Sequence, residues 1–157
     1  MLFVATAEAG DEEMHQRIEQ HKRSRSTDWS TLEVTTGVGK RILEKIGTAQ
    51  VVIVDCITLL VSNIFSQYSD QGGEQLNVSL IEQGVMAEID GVVECINRLD
   101  ASFIIVTNEV GLGVVPANRM GRLYRDLLAK VNRKLAQAAD EVYLMVAGLP
   151  QLIKPAP

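Results

Sequence analysis

The sequence is poor in cysteine and has no long apolar run. Its two cysteines, Cys56 and Cys95, both stand in apolar segments, which excludes a disulfide framework and indicates reduced thiols of a cytoplasmic protein. No apolar run approaches the roughly 20 residues that cross a bilayer. The first residues also lack the basic leader of a signal peptide. We therefore predict a cytoplasmic protein without a membrane span.

An excess of basic residues is lacking as well. The formal net charge is -5 and the sequence pI is about 5.0, which argues against non-specific binding to nucleic acid. With 157 residues, 46% of them hydrophobic and 22% charged, the chain is long enough for one sizeable core. We predict a single domain over residues 1–157.

Four short runs have the β-branched, nearly continuous apolar composition of buried parallel strands: Leu2–Thr6, Val51–Cys56, Phe103–Asn108 and Val142–Val146. Helical patterns separate them, at 57–67, at 76–99 despite Gly84 and Gly91, and from Pro116, as first residue, to about Ala139. Residues 67–75 are predicted to form a loop. This order predicts an α/β fold with a mostly parallel sheet.

A helix is predicted from Asp11 to Arg25, with acids first and bases last. That order suits the helix dipole, and Asp11 is a plausible N-cap. At the basic end His21 is followed at once by Lys22, Arg23 and Arg25. A cationic cluster on an acidic protein indicates a site for an anion.

A histidine in such a cluster can attack phosphorus. Cations at Arg17, Lys22 and Arg25 would disfavour the protonated imidazole and bind phosphate oxygens. The alternative is a solvated amphipathic helix whose exposed histidine has no role, and the residues alone leave both open. His15 lies six residues before His21 and faces elsewhere, so the two do not form a metal pair.

Ligands of open parallel sheets bind beyond the carboxyl ends of the strands. The first strand ends in the small residues of 5–7, which would let a ligand approach the backbone. Asp55 ends the second, where a carboxylate could hold Mg²⁺ or cap the next helix. The third is followed by Asn108 and Glu109, just before two glycines.

The segment 35–41, Thr-Thr-Gly-Val-Gly-Lys-Arg, looks like part of a phosphate-binding loop. It lacks the first glycine of that motif, and Arg41 stands where Ser or Thr should follow Lys40. We interpret it as the start of a surface helix.

Taken together, the motifs resemble the bifunctional adenosylcobinamide kinase / adenosylcobinamide-phosphate guanylyltransferase family of cobalamin biosynthesis, collinearly from Leu2 to about Gly148. The matching stretches are Ala5–Ala7, Asp11–Lys22, Trp29–Glu33, Asp55–Thr58 with Ser62–Asn63, and Val106–Pro116 with 118–119 and 124–126.

The resemblance implies a RecA-like P-loop NTPase fold, cytoplasmic and homotrimeric. It implies phosphorylation of adenosylcobinamide with ATP or GTP, then transfer of GMP from GTP through a histidine onto adenosylcobinamide phosphate. The guanylylated histidine falls on His21. Nucleotide contacts fall on Ala5, Thr6, Ala7, Lys22, Arg23, Ser24, Arg25, Glu33 and Asp55, with Arg17 assisting. Mg²⁺ would be held by Asp55 and Glu33, and Asn108 and Glu109 would contact the corrinoid substrate.

Family members begin with a strand and a Gly-x-x-x-Ser-Gly-Lys-Ser loop whose amides cradle phosphates, and the sequence given starts after both. We therefore expect it, as written, to be inactive as a kinase and at best weakly active as a guanylyltransferase. The alternative function is a non-catalytic nucleotide- or corrinoid-binding fragment.

Overall fold

A computed structural model describes residues 1–8, 10, 12–70 and 77–156, with the backbone alone at 24, 69 and 70. The strands are β1 Leu2–Ala5, β2 Ser30–Glu33, β3 Val51–Asp55, β4 Ser102–Val106, β5 Val142–Val146 and β6 Leu149–Lys154. The helices are α1 Glu12–Ser24, α2 Val38–Lys45, α3 Ile57–Asp70, α4 Val78–Arg98 and α5 Arg119–Ala138, with a 3-10 turn at Val110–Leu112. They form two compact units, Met1–Asn108 and Glu109–Pro157; the single domain stays a prediction.

The first unit is built on a four-stranded sheet in the order β2-β1-β3-β4. All three pairings are parallel, which confirms the predicted α/β arrangement. Val4, Val52 and Val54 are fully buried on the central strands, because crossover helices cover a parallel sheet on its faces.

The helices α3 and α4 supply most of the remaining core of this unit. On α4 the buried side chains follow a three-to-four-residue spacing, which is the apolar stripe of an amphipathic helix: Ile81, Val85, Ile89, Val92 and Cys95. The thiol pKa of Cys95 is raised by its burial.

Glycines sit where α4 packs closely against its neighbours. A Cβ added to Gly84 would lie 2.5 Å from the Tyr68 ring, and one added to Gly39 on α2 would lie 2.1 Å from the carbonyl oxygen of Gly91. Glycine in a helix interior costs up to about 1 kcal/mol relative to alanine. Close packing against Tyr68 offsets this cost at Gly84, whereas a Cβ on Gly91 would meet no described atom within 4 Å. The helix α4 is continuous through both glycines.

The second unit contains α5 and a β5–β6 hairpin. The strand at Val142–Val146 is confirmed, but it pairs antiparallel with β6, so its predicted parallel pairing is wrong. Ala147 and Gly148 both have positive φ, the geometry of a two-residue type I′ turn. Lys154 of β6 donates to carbonyl oxygens of Ala136, Gln137 and Ala139 at the end of α5.

Several predicted boundaries are corrected. Pro116 is not the first residue of α5, which begins at Arg119 after the N-cap Asn118; the Asn118 side-chain oxygen accepts from the Gly121 N–H at 2.6 Å. The predicted loop at 67–75 starts inside α3, which continues to Asp70. The rest of that loop and Asp11 lie outside the described residues. In the described ranges, no helix is both long and apolar enough to cross a membrane.

Candidate active site

Three strand ends meet on one rung of the parallel sheet. Ala5 of β1 is in register with Glu33 of β2 on one side and with Asp55 of β3 on the other. Residues in register point to the same face, and neighbouring strands lie about 4.8 Å apart, so roughly 10 Å separates the two acidic Cα atoms. The prediction that Asp55 ends its strand is therefore confirmed, and the pairing of that strand with β1 comes from the structure.

Thr6, just beyond β1, fastens two of these strand ends together. Its side chain is fully buried. The Oγ1 hydroxyl donates to the Cys56 carbonyl oxygen at 2.7 Å and accepts from the Cys56 N–H at 2.8 Å. Cys56 is itself buried, and this burial raises the pKa of its thiol. Both hydrogen-bonding roles of the hydroxyl are thus used within the fold, and a nucleotide contact of Thr6 stays a prediction.

Asn63 on α3 connects this point to β2. Its Nδ2 donates to the carbonyl oxygen of Thr6 at 2.8 Å and to that of Thr35 at 3.2 Å. One amide group therefore sets the spacing between the segments that follow β1 and β2. Asn63 belongs to a matching motif, but no pattern in the sequence indicates these contacts.

The basic end of α1 is tied to the same face of the sheet. Lys22 Nζ lies 2.7 Å from Glu33 Oε1 and 3.3 Å from Glu19 Oε1. The hydrogen bond to Glu33, and then that to Glu19, raises the pKa of Lys22. The structure thus joins two residues that the family resemblance implies as nucleotide contacts, and that role stays a prediction for both.

Arg25 packs onto the sheet through an aromatic ring. Its guanidinium carbon lies 3.9 Å from the centroid of the Phe3 ring, which also stacks on Trp29 at 6.4 Å and 17°. The Nε and Nη1 atoms of Arg25 are buried and have no hydrogen-bond partner in the described part of the chain. Arg25 therefore anchors the segment after α1 by a cation–π contact.

His21 is exposed on α1, immediately before Lys22. Arg17, one turn earlier, pairs with Glu13 at 3.2 Å, and both side chains are largely exposed. Such exposed pairs are weak, so Arg17 can exchange this partner for a phosphate. Arg23 is exposed, and the side chain of Ser24 lies outside the described residues.

A cavity of about 470 Å³ opens beside this rung. Its walls are Ala7 and Glu8 after β1, residues 33–36 from Glu33 to Thr36, and Arg41 of α2. The predicted residues Ala7 and Glu33 are thus brought together. Glu8, the two threonines and Arg41 were missed as site residues; the only signal was the Thr35–Arg41 segment, which we interpreted as a helix start.

The start of α2 is capped from α4. The Glu88 carboxylate accepts from the N–H of Gly37 at 2.9 Å and from that of Val38 at 2.7 Å. Gly37 has φ 68, which suits glycine. A carboxylate of the chain thus occupies amides that a phosphate-binding loop would present. The predicted helix start is confirmed, although the helix buries Val38 and Ile42 and is not purely a surface element.

Asn108 and Glu109 each take part in a hydrogen bond within the chain. The Asn108 N–H donates to Thr58 Oγ1 at 2.8 Å. The Glu109 carboxylate accepts from the Gly111 N–H at 2.7 Å and caps the 3-10 turn. Both residues are exposed, and their contact with substrate stays a prediction.

The acidic groups of the rung fit the chemistry of Mg²⁺. This ion is usually held by one or two carboxylates, with water and phosphate oxygens completing its shell. Glu33 and Asp55 lie on one face of the sheet. Among the described residues, no three His, Cys, Asp or Glu side chains are grouped to hold a metal ion.

The parallel sheet, with acidic, basic and small residues gathered at its carboxyl edge, defines an α/β protein whose candidate ligand site lies at that edge. Residues 1–153 match the family of cobinamide kinase / cobinamide phosphate guanyltransferase, and the chain belongs to this family. The family has a P-loop NTPase-like fold and transferase activity on nucleotide substrates, which confirms the predicted fold class and family.

Curated relatives agree with this assignment. The chain is 37% identical to the bifunctional adenosylcobalamin biosynthesis protein CobU of Escherichia coli K12, over 98% of this chain and 86% of the relative. It is 36% identical to CobU of Salmonella typhimurium LT2, with the same coverage. It is 32% identical to the bifunctional adenosylcobalamin biosynthesis protein CobP of Pseudomonas aeruginosa PAO1, over 99% and 83%.

Proposed function

We propose that this protein carries out the guanylyl transfer of its family through His21, with the nucleotide at the carboxyl edge of the first sheet. The observation that carries the proposal is the Lys22–Glu33 contact of 2.7 Å. It brings the residue after His21 to a wall of the 470 Å³ cavity. Binding sites for small molecules commonly have volumes of about 300–1,000 Å³.

The chemistry of the transfer is a double displacement. A neutral imidazole nitrogen of His21 attacks the α-phosphorus of GTP; an N–P bond forms, the bond to the bridging oxygen breaks, and pyrophosphate leaves with that electron pair. A phosphate oxygen of adenosylcobinamide phosphate then attacks the same phosphorus. The N–P bond breaks, and adenosylcobinamide-GDP and free His21 result.

The cations at the end of α1 would stabilise the negative charge that develops on the phosphate oxygens. Arg17 and Lys22 hold their present partners in exposed ion pairs, which are weak enough to be exchanged. Arg23, Ser24 and Arg25 follow on the same segment. Charge-assisted hydrogen bonds from such groups are the strong ones in phosphate recognition.

The kinase half would transfer a phosphoryl group from ATP or GTP to the hydroxyl of adenosylcobinamide. Asp55 and Glu33 would hold Mg²⁺, whose contribution is to neutralise phosphate charge. Ala5 and Ala7 would leave room for the nucleotide near the backbone, while Asn108 and Glu109 would contact the corrinoid. Two free, buried cysteines favour a reducing, cytoplasmic location, and the resemblance favours a homotrimer.

The test is covalent labelling with GTP radiolabelled at the α-phosphorus, followed by mass spectrometry of the peptides. We expect an acid-labile, base-stable GMP adduct on His21 that disappears in His21→Ala. His15→Ala is the matched control, since His15 is exposed on the same helix, and it should retain the adduct. An adduct on another residue would overturn the assignment.

The same experiment distinguishes this enzyme from the alternative, a non-catalytic binding module. A binding module would take up nucleotide or corrinoid, as measured by calorimetry, without any labelling. Loss of labelling in His21→Ala with retained nucleotide binding is the pattern expected of a nucleophile.

A further inference from the structure

The cavity beside Glu33 has walls of mixed charge. Two carboxylates, Glu8 and Glu33, and one guanidinium, Arg41, line it together with the hydroxyl residues Thr35 and Thr36. Glu33 is paired with Lys22 at 2.7 Å, so this lining offers a phosphate no excess of positive charge. A neutral group that has both hydrogen-bond donors and acceptors suits these walls better.

Arg41 is carried on a helix that is fixed at its first turn. The Glu88 carboxylate holds the N–H groups of Gly37 and Val38. Gly39 brings α2 against Gly91 of α4 at backbone distance. A side chain that starts from so rigid a turn can present its donors in a defined place.

The present partner of Arg41 is easily replaced. Its Nη1 lies 3.1 Å from Glu44 Oε2, and the two side chains are 57% and 41% exposed. Exposed pairs three residues apart on a helix contribute little. The guanidinium can therefore turn to a ligand without a large loss of stability.

Guanine and adenine differ in what they offer to a guanidinium. Guanine presents two adjacent acceptors, O6 and N7, whereas adenine presents the N7 acceptor beside the N6 amino donor. An arginine has donors only, so it pairs with both guanine atoms and meets a donor on adenine. The Glu8 carboxylate in the same lining suits the N–H groups of the guanine Watson–Crick edge.

We propose that Arg41 is a specificity-determining residue that binds O6 and N7 of a guanine base in this cavity and disfavours adenine. This inference rests on the proposed function, because it places the guanine nucleotide of that reaction at this site. It assigns a role to a side chain that the family motifs did not include.

The test measures affinity alone, by calorimetry on the full chain with GDP, ADP and IDP. Arg41→Met keeps the length of the side chain and removes its donors. We expect it to weaken the affinity for GDP by roughly ten- to hundredfold, which is the discrimination typical of one bidentate base contact. The affinity for ADP should change by less than about threefold. The ratio of the GDP and IDP affinities should stay constant, because IDP keeps O6 and N7 and lacks only the 2-amino group.

Two further variants sharpen the result. Lys45→Met removes a positive charge from the last turn of the same helix, outside the cavity, and should leave all three affinities unchanged. Arg41→Lys keeps the charge without the fork and should recover only part of the GDP affinity.

Equal weakening of GDP and ADP in Arg41→Met would show a phosphate contact and overturn the inference, as would no change in either. Neither result touches the proposed function, which is judged by the His21 adduct. A wild-type chain that binds no guanine nucleotide would overturn both.

Discussion

At the scale of single residues, Thr6 shows how a side chain beside a ligand site can serve the fold. Thr6 belongs to the segment of small residues at 5–7, which the family resemblance predicts to contact the nucleotide. In the structure its hydroxyl bridges to both backbone groups of Cys56, fifty positions away. No local pattern could reveal this contact, because its partner follows a different strand, β3.

Thr6→Val should test that bridge. Valine keeps the shape but leaves the buried Cys56 N–H without an acceptor, which costs about 1–3 kcal/mol of unfolding free energy. The Cys56 carbonyl oxygen retains the Leu60 N–H, so it adds little. Urea unfolding measures the change. Thr6→Ser keeps the hydroxyl and should lose less; equal losses in both variants would contradict this account.

At the scale of elements, the crossing of α2 and α4 explains two glycine-rich features of the sequence. Gly39 stood in a segment resembling a phosphate-binding loop, and Gly91 counted against a helix. The structure places them face to face. Gly39 is required by a close crossing of α2 over the Gly91 backbone. This crossing joins residues about fifty positions apart, so no local sequence window reveals it.

Alanine substitutions at the two glycines should act in opposite directions. In Gly39→Ala the new Cβ would lie 2.1 Å from the Gly91 carbonyl oxygen, and such overpacking against backbone costs about 1–3 kcal/mol. In Gly91→Ala the Cβ meets no described atom within 4 Å, so alanine's better helix propensity should stabilise by about 0.5–1 kcal/mol. Midpoints of urea unfolding would show both; the same sign for both would refute the crossing.

Most elements followed from the sequence, and the exceptions have physical causes. The strands β1, β3 and β4 and the helices α3 and α4 were predicted from their apolar composition or periodicity, and α1 from its order of charges. The predicted burial of β4 is wrong, because its side chains are half-buried or exposed. The strand β2, Ser-Thr-Leu-Glu, was missed because it is mostly polar and exposed. The strand β6 was missed because Pro150 lies in it, and proline is tolerated only at sheet edges.

For the candidate site, the sequence identified the groups that neighbouring residues reveal, such as the basic end of α1 and Asp55 at the end of an apolar run. Their meeting on one rung with Glu33 depends on strand order. Arg41 and Glu8 became visible only through the cavity that they share.

At the scale of the whole molecule, the two edges of the four-stranded sheet differ in character. The edge strand β2 carries polar, exposed side chains. At the other edge, β4 reads Ser-Phe-Ile-Ile-Val, and in the described residues it has a hydrogen-bonded strand on one side only. Ile104 is 51% exposed. An exposed apolar edge strand favours pairing with another chain.

We expect the protein to associate through this edge as its concentration rises. Ile104→Lys places a charge on the strand and should weaken association by about tenfold or more, equivalent to roughly 1.4 kcal/mol. Sedimentation velocity over a concentration series measures it. Leu80→Lys, at a helix position 49% exposed, is the control and should have no effect. Equal effects of both variants would argue against the β4 edge.

The stack of Trp29 on Phe3 beside Arg25 has an optical consequence. Trp29 is the single tryptophan of the sequence, so all indole emission of the protein comes from one point between α1 and β2. A guanidinium next to the stack makes that emission sensitive to any shift of the basic segment. The unlabelled protein therefore carries its own fluorescent reporter, next to the basic segment at which we propose that the nucleotide binds.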